Sequence, residues 1–205
     1  MINKIQLLFS ASNTDDRDKI NNFLVSEWES IKQKLPDVQH RRAIRMPNDP
    51  TASVPQDGQP DDLPEQPSFD VMLELRGEDV SFDLLIEAIE GIGERLGPLI
   101  DATNSAALVG NEYMIVPGSE PLFLNMVLRR PSKWSREDWH DHWLEHHAAD
   151  VRKNVSGLQG YRQFHADEKA SKEAAESARV GIYDYEGTAE GYYSDIEKFL
   201  ETLSD

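Results

Sequence analysis

The sequence predicts an α+β fold of two tandem units, each of roughly βαββαβ order, with antiparallel sheets and helices on the outer faces. Two observations predict it. Short β-prone runs and runs with helical spacing alternate in the same order in both halves, and Pro117-Gly118 divides the halves. Residues 1–118 are expected to form the N-terminal unit, with a proline-rich loop at 47–68. Residues 119–205 form the second unit, which lacks an evident last strand.

Residues 5–9 are a short β-prone run. Asn13 and Thr14 are candidate caps for a helix reaching Lys34, with Ile20, Phe23, Leu24, Trp28 and Ile31 at helical spacing. Pro36 and Asp37 stop it, and 38–46 reads as a strand. Residues 47–68 carry six of the chain's eleven prolines and few apolar residues, an extended excursion. Residues 69–75 alternate apolar and acidic side chains, Met72 excepted, as a half-buried strand does. One helix over 82–96 and a strand over 106–116 complete the unit.

In the second half, 121–130 reads as a strand and 136–155 as a helix. Residues 158–166 form a strand, and 167–178, rich in Ala, Lys and Glu, reads as a polar loop. Aromatic, strand-prone residues surround Gly187, and a last helix covers 194–203.

The formal charge is −17, which repels phosphate backbones and anionic lipid, so neither a nucleic-acid nor a membrane-surface partner is expected. There is no cysteine, which excludes disulfides and thiolate chemistry. The N-terminal apolar stretch is too short for a signal sequence, and a cytoplasmic protein is the expectation.

Five of six histidines lie between 140 and 165. Histidine titrates near neutrality, so this cluster is where proton chemistry is sought. Ser135, with Asp138 three residues on, marks the helix start. At about 100° per residue, His140, Trp143 and His147 share the apolar arc, whereas His142 and His146 face solvent. His142 and His146 have the i, i+4 spacing of zinc ligands, but Glu145 is misplaced for an HExxH motif, and no metal site is expected. His140 and His147 are open to two readings, core histidines or the lining of a pocket. On the next strand the two-residue repeat sets Tyr161, Gln163 and His165 on one face. That face is either an ordinary polar strand face or a set of proton-transfer groups. Arg129 is a further polar candidate.

Leu128-Arg-Arg-Pro131, Ser135-Arg-Glu-Asp-Trp139, Trp143-Leu-Glu-His-His147-Ala, Gly157-Leu-Gln-Gly-Tyr161-Arg-Gln-Phe-His165 and Tyr185-Glu-Gly together resemble the EthD family over residues 120–204. The resemblance implies ferredoxin-like units and, for the tandem chain, a pseudo-dimeric α+β barrel. It places the family's helix histidine on His147 and a pocket tyrosine on Tyr161. In the first half Trp28 matches Trp143, but Lys32 stands where the histidine would be. The implied function is that of a small-molecule enzyme without a cofactor, acting on an aromatic, lactone or polyketide-like ring as an isomerase, lyase or monooxygenase. His147, Tyr161 and His165 are the catalytic candidates. His140, Trp143, Arg129 and Gln163 are the substrate-binding ones. A non-catalytic ligand-binding or accessory barrel is the alternative, and a haem-binding barrel the third. An incomplete second sheet favours a homodimer.

Overall fold

The computed structural model describes residues 1–53, 66–155 and 157–202. Most of the expected excursion at 47–68 lies outside them. The chain divides into two compact units, one of residues 2–110 with 167–184, the other of residue 1, 111–166 and 185–205. Among the described residues, no helix is long and apolar enough to cross a membrane.

The first unit contains β1 (Ile2–Phe9), α1 (Arg17–Lys34), β2 (Gln39–Ile44), β3 (Val71–Gly77), α2 (Phe82–Ala88), α3 (Ile92–Leu96) and the start of β4 (Ala106–Val116). Its strand order is β2-β3-β1-β4, and β3 runs antiparallel to both β1 and β2. The period of two sends Ile5, Leu7 and Phe9 of β1 into one core with Ile20, Leu24, Trp28 and Ile31 of α1.

The expectation of a half-buried β3 is corrected, since Val71 to Leu75 are all buried. Its acidic position survives burial because Glu74 is paired with Lys4 Nζ at 2.6 Å and with Arg41 at 2.7 Å. Lys4 and Glu74 are both essentially inaccessible, and such charges persist in a core only when paired.

Two further expectations change. The helix over 82–96 is broken, because Gly91 adopts φ +64° between α2 and α3 and its N–H donates to the Ser177 carbonyl at 2.8 Å. The polar loop at 167–178 is a helix, α6 (Glu168–Ala178). Asp167 caps it, accepting from Ala170 N at 2.8 Å. Ala170, Ala174, Ala175 and Ala178 form its buried stripe. A stripe made of alanine escapes a hydropathy reading, although Ala, Glu and Lys are strong helix formers. α6 packs on α2 and α3. A Cβ on Gly93 would lie 2.7 Å from the carbonyl oxygens of both Ala178 and Arg179.

The second unit contains the end of β4, then β5 (Leu122–Leu128), α4 (Arg136–His142), a π-helical turn (Trp143–His147), α5 (Ala148–Asn154), β6 (Tyr161–Ala166), β7 (Gly187–Tyr193) and α7 (Ile196–Thr202). The strand order is β4-β6-β7-β5, with β7 antiparallel to β5 and β6. β5 ends the order with β7 as its one strand neighbour.

Replacing Gly93 with alanine should force α3 and α6 apart and destabilise the protein by about 1–3 kcal/mol. Urea denaturation against wild type measures this, and an unchanged midpoint would refute the close-approach argument.

Candidate functional site

The site is assembled within the second unit, where α4, the π-turn and β6 meet. The helix starts as the sequence predicts, with Ser135 Oγ accepting from Asp138 N at 3.0 Å. It then departs from α geometry. The Ala148 N–H reaches back five residues to the Trp143 carbonyl, so the turn accommodates an extra residue. Every position after it is set back in phase. Of the two neighbours that α periodicity set on the apolar arc, Ala148 is fully buried as expected, whereas His147 is exposed. His140 is half-buried and His142 and His146 are exposed, as the helical arc predicts.

β6 supplies the other side. Across from Tyr161, Gln163 and His165 the strand β7 offers Gly191, Ala189 and Gly187. Small residues there leave room for large polar side chains on β6. Gly187 has φ +144°, and a Cβ on it would fall 1.8 Å from the Phe164 carbonyl oxygen, so only glycine fits.

Four side chains form one hydrogen-bonded chain. Gln163 Nε2 donates to the Trp143 carbonyl at 2.9 Å, and Gln163 Oε1 lies 3.0 Å from His165 Nε2. His165 Nδ1 is 2.7 Å from His140 Nδ1, and His140 Nε2 is 2.9 Å from Glu186 Oε2. Trp143 stacks on His165 at 4.2 Å, and Tyr113 meets it edge-on at 4.9 Å. Burial, together with the charges of His140 and Arg136, pushes the His165 ring down to about 3, so it is neutral at ordinary pH.

Glu186 precedes β7. Its N–H donates to the Leu128 carbonyl at 2.8 Å, and its own carbonyl accepts from Ala166 N at 2.9 Å, fixing it between β5 and β6. Its carboxylate also meets Arg136 at 2.7 Å and Arg130 at 3.1 Å. Burial pushes the carboxyl up, but the His140 hydrogen bond and the Arg136 and Arg130 contacts hold it below the usual range.

His147 lies outside this chain. Its ring stands edge-on to Tyr161 at 6.3 Å, and among the described residues no hydrogen bond engages its nitrogens. Although its surface is exposed, crowding by the neighbouring apolar groups partly desolvates the ring and draws it below the ordinary histidine value, with Asp150 opposing that and His142 adding to it. Tyr161 and Trp143 belong to one apolar cluster with Ile115, Val151 and Ala189. They are 3% and 4% exposed, and the Tyr161 hydroxyl lies close to the side chains of Trp143 and Gln163, but neither it nor the Trp143 indole N–H makes a well-aligned hydrogen bond among the described residues. Burial pushes the Tyr161 hydroxyl up, so it stays a protonated donor.

The structure therefore joins His140, Trp143, Gln163 and His165, sets His147 beside Tyr161, and stands Arg129 over the Tyr185 ring at 4.4 Å. Sequence reading missed Glu186, Arg130 and Arg136. Glu186 is 46 residues from His140, beyond the reach of any local pattern.

A neutral buried histidine ties stability to pH. The unfolded His165 takes up a proton near pH 6.5 and the folded one only near 3, so the unfolded state binds more protons in between. Stability should fall as pH drops from about 6.5 towards 3. A His165→Asn variant should flatten that slope in denaturant titrations run across the window. An identical slope in the variant would refute the assignment.

Residues 131–205 match the EthD domain family. No curated protein matches the sequence. Among solved structures, TA0507, assigned to the chlorite dismutases, gives a TM-score of 0.54 at 13% identity, covering 99% of this chain and 84% of that one. The chlorite dismutase from Candidatus Nitrospira defluvii in complex with imidazole gives 0.52 at 9% identity, covering 99% and 81%. Identities this low speak for the fold alone. They agree with the α+β, ferredoxin-like architecture that the sequence predicts, and the segment that carries the histidine helix, β6 and Glu186 is the part that matches the EthD domain family.

Proposed function

We propose that the protein binds a phenolic, lactone or polyketide-like ring and moves a proton on it, with His147 as the general acid–base. One observation carries this reading. The histidine with uncommitted nitrogens adjoins Tyr161, and two buried donors, the Tyr161 hydroxyl and the Trp143 N–H, lie near each other without a well-aligned hydrogen bond among the described residues. A buried donor in a poorly aligned hydrogen bond recovers only part of its desolvation cost of about 1–3 kcal/mol, and a ligand oxygen that accepts from it in better geometry recovers more. Tyr161 and Trp143 would then orient the substrate and stabilise charge developing on its oxygen. His147, neutral at pH 7, would take the proton and return it elsewhere on the ring, which serves isomerisation, cyclisation or decarboxylation.

His165 enters this reading as a fixed link, since both its nitrogens are engaged. A non-catalytic ligand-binding protein would use the same donors but release its ligand unchanged. Haem, which some barrels of this superfamily ligate through a helix histidine, would find its nitrogen at His147, because both nitrogens of His140 are occupied. It would supply redox chemistry there, and a Soret band on haem titration, lost in His147→Ala, would reveal it. The β5 edge suits pairing with a second copy, which the native mass of the purified protein reads directly.

Native mass spectrometry of gently purified protein, followed by turnover assays on phenols and lactones, tests the enzyme reading. His147→Ala should lower kcat/KM by about 10²–10⁴. The wild-type profile should rise with pH through a midpoint below 6.5 and stay flat above it, because the folded pKa is lowered and the base form is the active one. Unchanged turnover in His147→Ala would sink the assignment.

A further inference from the structure

We propose that Gln163 is a positioning residue whose side-chain amide clamps the Trp143 carbonyl and so fixes the π-turn that carries His147. The proposal deepens the reading of His147 as the acid–base group and rests on it.

Hydrogen-bond polarity fixes the orientation of each group in the chain. The Trp143 carbonyl can only accept, so the nitrogen of Gln163 must face it and the oxygen must face His165. That oxygen can only accept, so the single proton of neutral His165 sits on Nε2, and Nδ1 presents a lone pair. His140 Nδ1 must then donate to it. The Glu186 carboxylate also only accepts, so His140 Nε2 donates as well. Both ring nitrogens of His140 thus face acceptors, His165 Nδ1 on one side and the Glu186 carboxylate on the other. Every link is determined, and the amide of Gln163 has one permitted orientation.

The consequence falls on the helix. In an α-helix the Trp143 carbonyl would accept from His147 N, whereas here it accepts from Ala148 N, one residue further on. Gln163 supplies that carbonyl with a second donor, buried from water. The two together stabilise the wide turn and keep Ala148, rather than His147, in the apolar cluster. A π-turn without such a donor has poorer hydrogen bonding than the α register it replaces. The groups that face His147 in this register are Tyr161, Asp150 and His142.

The test is NMR on the full chain, with two readouts that need no substrate. In Gln163→Leu, amide hydrogen exchange at Ala148 should accelerate about tenfold, as expected for the loss of roughly one hydrogen bond. The His147 titration midpoint should shift in the same variant, because the ring's surroundings change with the turn. Gln163→Asn keeps the amide but shortens its reach, and it decides the matter if Gln163→Leu does not fold. A folded variant with Ala148 exchange and His147 titration both unchanged overturns the proposal. Failure of the acid–base reading shows separately, as full turnover by His147→Ala whatever the exchange data give.

Discussion

The Glu186 carboxylate is the interaction on which the site's geometry depends. It sits where the ends of β5 and β6 meet the start of β7, fixed there by its own backbone hydrogen bonds to Leu128 and Ala166. Arg130, Arg136 and His140 converge on it from the segment between β5 and the π-turn. Removing one partner from a buried charge cluster typically costs about 3–5 kcal/mol, because the others lose their compensation. The cluster thus fastens the first turn of the histidine helix to the sheet. From that anchor the orientation of His140, then His165, then Gln163 follows.

The same fastening sorts the histidines into different kinds. His140 and His165 spend their nitrogens on structure, and burial of His165 removes it from proton traffic at neutral pH. His142 and His146 belong to the exposed helix face, 5.2 Å apart ring to ring. His147, at the end of the π-turn, keeps free nitrogens near an apolar cluster whose two donors lack well-aligned partners. One short run of sequence therefore yields three environments, and the distinction between them is one inserted residue in a helical turn.

Burial of charge recurs in the first unit, where Lys4 and Arg41 meet Glu74 on β3. A strand that reads as half-exposed from its alternation is buried on both faces, since its acidic residue has its counter-ions on the neighbouring strands β1 and β2. Alternation reports polarity, and polarity equals exposure only where no partner waits inside.

By itself the sequence determined what local periodicity and turn chemistry control. The order of the strands and of most helices, the Ser135 cap, the shared face of Tyr161, Gln163 and His165, and the EthD signature were all legible, because each depends on residues a few positions apart. The helix at 168–178 was missed because alanine carries little hydropathy, and the break at Gly91 because a lone glycine does not announce its φ. Only the tertiary structure decided the rest. The convergence on Glu186 joins residues tens of positions apart. The π-turn, stabilised by Gln163 from another element, moved His147 off the face that α spacing assigned to it. Both depend on non-local hydrogen bonds, and no periodicity in the chain encodes their partners.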